Sequence, residues 1–199
     1  MIPDDLLVQK VKEGHLESFE VLVERYQKQV YNMAYRYTGN SEDAYDLSQE
    51  AFIKAYKGIK SFRQEAAFKT WIYHITSNVC KDFLRKANKY KEVSIDAPIH
   101  TEEGEMEKQI TDRVNGPEEI YEIKELSEFI QSMISSLPND YREVIVLREF
   151  QQLSYEEMSD ILDCSLGTVK SRLNRARNML KEKFIRVREQ SNMQLRQIR

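Results

Sequence analysis

Residues 153–173 read LSYEEMSDILDCSLGTVKSRL, and this stretch decides the fold. Ser154, followed three residues later by Glu157, forms a capping box. The serine oxygen accepts from the N3 amide while the glutamate reaches back to the Ser154 amide. The helix it opens is short, with Met158, Ile161 and Leu162 facing inward. Asp163-Cys164-Ser165 makes a tight turn, and Ser165 is placed to cap the next helix. That helix buries Val169, Leu173, Ala176 and Leu180, and it exposes Lys170, Ser171, Asn174, Arg175, Arg177 and Lys181. A short helix, a three-residue turn and a second helix led by cationic, amide and hydroxyl side chains is a helix-turn-helix. The major groove of duplex DNA admits one helix, whose leading residues meet base edges while flanking cations hold phosphates. The competing reading is a plain helical bundle with a basic terminal helix.

Upstream the apolar spacing stays helical. Leu126, Phe129, Ile130, Met133, Ile134 and Leu137 form a stripe that closes at Pro138. Asn139 or Asp140 then caps a helix running inward through Val144, Ile145, Leu147 and Phe150. Nearer the amino terminus, a short helix spans about Asp4 to Glu13 and ends at Gly14. Phe19, Leu22, Val23, Tyr26, Val30, Met33, Ala34 and Tyr37 make a long one, with Gly39 as its C′ residue. Ser41 is placed to cap a third, striped by Ala44, Leu47, Ala51, Phe52, Ala55 and Tyr56 and stopped by Gly58. Its outer face carries Asp46, Gln49, Glu50 and Ile53. An isoleucine exposed among acids fits a protein-binding patch better than a merely solvated face.

A loop, Ser61 to Phe68, leads into a fourth helix from about Lys69 to Lys86, with Ile72, Ile75, Val79 and Phe83 inward. Trp71, His74, Asn78, Lys81 and Arg85 recur at spacings of 3, 4, 3 and 4, so they line an adjacent face. Indole, amide and cations together suit a single strand, whose bases stack on aromatic rings while its phosphates follow cations. Taken singly, a half-buried tryptophan and wet surface cations are the plainer readings.

The 199 residues carry 30 Lys+Arg against 33 Asp+Glu, a net charge of −3, which hides a segregation. Residues 1–90 hold a net +2, residues 91–140 a net −9, and residues 170–199 a net +8. Two cation-bearing modules joined by an acidic strap point to a polyanionic partner. From Val93 to Glu119, Pro98, Gly104, Gly116 and Pro117 interrupt periodicity, and this reads as a flexible linker. The expected division is 1–92 and 120–185 for the modules, 93–119 for the linker and 186–199 for a basic tail. The fold class is therefore all-α, with two small helical domains and the helix-turn-helix in the second. No apolar run approaches the ~20 residues that span a bilayer. The start, Met1-Ile2-Pro3-Asp4-Asp5, has no secretory pattern, so a cytoplasmic protein is expected. Cys80 and Cys164 form no C-x-x-C pair, and His15, His74 and His100 show no metal-ligand spacing. With no phosphate loop or nucleophile motif either, no metal, cofactor, small-molecule substrate or enzymatic activity is expected.

Three segments in order resemble the bacterial sigma factors, the promoter-specificity subunits of RNA polymerase. Asp43 to Tyr56 is similar to their core-binding segment, Phe68 to Asn78 to their promoter-melting helix, and Leu153 to Leu173 to their carboxy-terminal helix-turn-helix. The two-module length resembles the extracytoplasmic-function (ECF) subgroup. That resemblance implies that Asp46, Gln49, Glu50 and Ile53 dock on a coiled coil of core RNA polymerase. It implies that Asn78 takes a flipped base of the minus-ten element, helped by the loop from Ser61 to Ala67. Trp71 then lies at the melted edge, with Lys69, Lys81 and Arg85 beside it. Thr168, Lys170, Ser171, Asn174 and Arg175 face the minus-thirty-five duplex, while Arg148 and Arg177 hold phosphate. It also implies an anti-sigma factor, often membrane-borne in similar proteins, as a partner. His74, Cys80 and Cys164 receive no role.

A stand-alone helix-turn-helix repressor with a helical sensor domain is the alternative, and it leaves the Asp46 and Trp71 faces unexplained. A helical hydrolase or adaptor has no catalytic constellation to support it. A chain of net charge −3, with −9 over residues 91–140, binds DNA weakly alone, because acids oppose phosphate contact. Replacing the strap's acids with Gln and Asn is expected to raise DNA binding by the isolated chain in a mobility-shift assay; unchanged binding contradicts an opposing role for the strap.

Overall fold

The computed structural model of the chain describes residues 2–93 and 117–197. The expected linker lies almost wholly outside the described residues. Four helices form the first module: α1 (Asp4–Lys12), α2 (Leu16–Thr38), α3 (Ser41–Gly58) and α4 (Phe68–Val93), with a 3₁₀ turn at Ile59–Ser61. The second holds α5 (Pro117–Ser135), α6 (Asn139–Ile145), a π turn at Val146–Phe150, α7 (Tyr155–Leu162) and α8 (Leu166–Gln197). No strand occurs among the described residues.

In the first module α2 is central. Its inner stripe, Leu22, Tyr26, Val30, Met33, Ala34 and Tyr37, is buried against α1, α3 and α4. The small inward residues of α3, Ala44, Ala51 and Ala55, are fully buried there. Gly39 ends α2 at φ 73°, in the left-handed region that glycine enters without a Cβ penalty. The cap of α3 falls on Asn40 rather than Ser41. With Asn40 extended, its side-chain oxygen accepts from the amides of Glu42 and Asp43 at 2.8 and 3.0 Å, and Ser41 becomes the first helical residue.

The second module is organised by its turn chemistry. Both halves of the Ser154–Glu157 capping box form, at 3.1 and 2.8 Å. Asp163 turns the chain at φ 47°, and Ser165 Oγ accepts from the Thr168 amide at 3.1 Å to start α8. Met158, Ile161, Val169, Leu173 and Ala176 close the core between α7 and α8. Helix α6 is entered differently from the sequence expectation. Pro138 precedes it with no side-chain cap, its carbonyl accepting from Tyr141 and Arg142, and Asp140 pairs with Arg172 at 3.0 Å instead.

The π turn adds a residue to the helical repeat, with Gln151 N–H reaching Val146 O at 3.1 Å. The expected inward Phe150 is thereby swung outward, and its ring lies under the Arg36 guanidinium at 4.5 Å. Leu126 and Ile130 of the expected α5 stripe are likewise exposed, while Met133, Ile134 and Leu137 are buried. Helix α8 runs on past Arg186 without a break, so the start of the expected tail is helical.

The modules pack together at the carboxy-terminal end of α2. Gln131 donates to the carbonyls of Tyr35 and Arg36 at 3.3 and 3.4 Å and accepts from Arg36 at 3.0 Å. Arg142 donates to Tyr37 O at 2.5 Å. Thr70 of α4 meets Glu157 of α7 at 3.3 Å.

Removing the cap oxygen by Ser154→Ala is expected to cost about 0.5–2 kcal/mol. Urea unfolding followed by circular dichroism measures it, and an unchanged midpoint contradicts the capping account of α7.

Candidate protein-docking and nucleic-acid interfaces

Because α3 turns its alanines toward α2, its opposite side carries the charge. Asp46, Gln49, Glu50 and Ile53 are all exposed there, Ile53 at 52%, and Glu50 is tied to Lys54 at 2.7 Å. Beside them a groove of about 1800 Å³ runs between α2 and α3, lined by Phe19, Val23, Tyr31, Tyr45, Phe52 and Tyr56. Burial and the neighbouring carboxylates of Asp46 and Glu42 raise the Asp43 carboxyl above its ordinary range. An apolar floor beside crowded carboxylates suits a partner helix with an apolar stripe and basic flanks.

On α4, the face from Trp71 to Arg85 divides into two parts. Trp71 stacks on Phe62 with centroids 4.4 Å apart and planes at 16°, and Phe68 joins the cluster. One face of the indole is thus occupied within the fold. Gly58 also lies against the indole, where an added Cβ would stand 3.4 Å from Trp71. Lys69 sits over the Tyr73 ring at 5.8 Å, and burial pushes the Tyr73 hydroxyl up to about 12. One to three turns on, Asn78 is exposed and its amide lies 3.2 Å from His74 Nε2. Burial, then the Lys81 charge, lowers the His74 pKa, so a neutral imidazole faces Asn78. Lys81 pairs with Glu143 at 3.2 Å, and Arg85, at the exposed end, pairs with Asp82 at 3.0 Å. The structure therefore gathers His74, Asn78 and Lys81, and sets Trp71 apart in an aromatic cluster.

On α8 the leading residues fall on one face. Lys170, Ser171, Asn174 and Arg175 are exposed, while Thr168 is half-buried, its hydroxyl 2.9 Å from Ser165 Oγ. Ser171 turns its hydroxyl back to Thr168 O at 3.0 Å. A flanking and a leading cation converge on the Tyr155 ring, Arg148 at 4.9 Å and Lys170 at 5.6 Å. Arg148 also donates to Leu153 O at 2.6 Å, and Arg177 holds Glu149 Oε1 through two nitrogens at 2.6 and 3.0 Å. The face can offer amides, hydroxyls and cations to base edges and phosphates.

Tyr37, expected only as a core residue, meets Ser77 and Glu143, which periodicity does not single out, where α2, α4 and α6 converge. The one local signal was Glu143, four residues before the inward Leu147 and so an acid on an apolar stripe. Cys80 lies beside them, fully buried. Burial first, then the charges of Glu143 and Glu50, pushes its thiol up to about 12, which leaves no thiolate at neutral pH. Among the described residues no helix is long and apolar enough to cross a membrane, and no group of His, Cys, Asp and Glu is arranged to hold a metal ion.

Comparison with known proteins matches both halves of the chain. A family model for sigma-70 region 2 covers residues 22–90, and one for sigma-70 region 4 covers residues 128–180. The ECF RNA polymerase sigma-E factor of Escherichia coli K12 is 40% identical over 182 residues, 92% of this chain and 94% of that protein. Its counterpart in Haemophilus influenzae is 38% identical over 183 residues, 92% of this chain and 96% of that one. Among solved structures, CnrH in complex with the cytosolic domain of CnrY has a TM-score of 0.67 at 21% identity, covering 91% of this chain and 96% of that one. The sigma factor RpoE in complex with the anti-sigma factor NepR, from Bartonella quintana, has a TM-score of 0.65 at 24% identity, covering 83% and 96%.

Proposed function

The chain belongs to the ECF branch of the sigma-70 family, and from that premise we propose the division of labour by which its residues select promoters. As a sigma factor it binds core RNA polymerase and directs initiation by recognising a duplex minus-thirty-five element and a melted minus-ten element. The observation that carries the residue assignments is their co-occurrence in chain order: an acidic and apolar docking face on α3, an amide and cation face on α4, and a polar leading face on α8.

Residues 1–92 form the module that docks on polymerase and opens DNA, and residues 120–185 the module that reads duplex. Residues 93–119 link them, and residues 186–199 form a basic tail. Asp46, Gln49, Glu50 and Ile53 engage a coiled coil of core polymerase, the groove beside them taking its apolar stripe. Asn78, exposed on α4, receives a flipped base. Trp71 acts at the melted edge by stacking on Phe62, which fixes the start of the loop from Ser61 to Ala67. Lys69, Lys81 and Arg85 follow the strand's phosphates. Thr168, Lys170, Ser171, Asn174 and Arg175 address the minus-thirty-five bases, with Arg148 and Arg177 on phosphate. The chain works in the cytoplasm as a specificity subunit, not an enzyme. The RpoE–NepR complex supports an anti-sigma factor as a further partner.

Run-off transcription from a promoter library with core polymerase tests the reading. Selective transcripts that require the chain are expected; polymerase-independent repression of a duplex target contradicts it. Two variants then probe the roles. Arg175→Ala is expected to weaken discrimination at one minus-thirty-five position by ~1–3 kcal/mol if its contact is bidentate, and equal losses on all promoters assign it to phosphate instead. Asn78→Ala is expected to impair opening more than closed-complex formation, read by potassium permanganate and mobility shift respectively; the reverse order removes Asn78 from the melted strand.

A further inference from the structure

Glu143 is out of keeping with its neighbours. It precedes Val144, Ile145, Val146 and Leu147, all buried, and only 4% of its own side chain is exposed. The partners of its carboxylate come from the other module. Ser77 Oγ donates to Oε1, and Lys81 Nζ stands 3.2 Å from the same oxygen. Ser77 in turn meets the Tyr37 hydroxyl at 3.2 Å, so the contact reaches from α6 through α4 to α2.

Burying a carboxylate is costly unless it is paired, and apolar groups of like volume often serve a permanent core as well or better. A charged contact is suited to an interface that parts, because both partners are stable in water once separated. The polar contacts around it have the same character, and they stand beside a buried apolar cluster that includes residues of both modules. Gln131, Arg142 and Thr70 cross between the modules by hydrogen bonds that water can replace. Lys81, moreover, is one of the cations assigned above to the melted strand. A phosphate offers it the same negative charge and the same oxygen acceptors that Glu143 now supplies.

We propose that Glu143 is an intramolecular stand-in for DNA phosphate. In the free chain it latches α6 to α4 and occupies Lys81; engagement of polymerase and promoter displaces it and frees the ammonium for the strand. This rests on the role given to α4 under the proposed function.

Glu143→Gln keeps the shape and removes the charge. The full-length variant, without polymerase, is examined by small-angle X-ray scattering and by anisotropy of a fluorescein-labelled single-stranded minus-ten oligonucleotide across a salt series. Expected are a larger radius of gyration and about tenfold tighter binding, the scale of one lost charge-assisted contact. The salt slope steepens by about 0.7, one added phosphate contact on a single strand. Unchanged radius and affinity overturn the proposal, and so does expansion without gain in affinity.

A charge-swap series gives a test that does not depend on how well the Gln variant folds. Lys81→Glu sets two carboxylates face to face and is expected to expand the chain. Adding Glu143→Lys restores an ion pair and is expected to compact it again while DNA binding stays low. A double variant as expanded as the single overturns the latch. Run-off transcription by Glu143→Gln with core polymerase separates the two levels. Failure of the latch with transcription intact sinks the latch alone, whereas a wild-type chain that supports no transcription sinks the sigma-factor reading on which the phosphate role rests.

Discussion

The last carbonyls of α2 have no partners within their own helix, and much of what they need is donated from the other module. Every α-helix ends with four such acceptors and a partial negative charge. Here Gly39 N–H serves Tyr35 O from within the chain, and Gln131 and Arg142 serve the carbonyls of Tyr35, Arg36 and Tyr37 from the second module. The position favours a glycine twice over. Gly39 has a positive φ, and a Cβ built there stands 3.3 Å from Ser135 Oγ and 3.5 Å from Gln131 Nε2. Because α2 is also the centre of the first module's core, the same helix sets the position of α3 and α4 and receives the module that carries the helix-turn-helix.

Helix α4 has to satisfy three demands on three sides. Ile72, Tyr73 and Val79 anchor it in the core, Asn78 and Arg85 face solvent, and Ser77 and Lys81 meet the second module. A helix has room for this because successive side chains are separated by about 100°, so adjacent stripes serve different neighbours. The consequence for function is competition. Groups that suit nucleic acid also suit a carboxylate on the same chain, and a protein of net charge −3 has little electrostatic attraction for DNA to tip the balance alone. On the proposed reading core polymerase tips it, holding two weak reading modules on one promoter so that each raises the other's effective concentration.

Local chemistry was legible in the residues and remote chemistry was not. The Ser154–Glu157 box, the Asp163 turn, the Ser165 cap and the Gly39 terminus all depend on groups within five residues of one another, and each forms as its spacing implies. So does the exposure of Ile53 among acids. Elsewhere two residue types competed for one job. Asn40 outreached Ser41 at the start of α3, and Pro138 left Asn139 and Asp140 inside the first turn of α6. Phe150 defeated a regular 3.6-residue stripe because a π turn shifts the register by a residue. Glu143 escaped notice because its partners, Ser77 and Lys81, lie more than sixty residues away in sequence, where periodicity carries no information.

Permanganate reactivity of unpaired thymines across a cognate promoter is the most direct measurement of whether this chain opens DNA only as part of a larger machine. With the chain and core polymerase together, reactivity is expected within the minus-ten element, and with either component alone it is expected to be absent. Equal reactivity without polymerase, or tight promoter-specific binding by the chain alone that leaves the duplex closed, contradicts a specificity subunit and describes a self-sufficient DNA-binding protein.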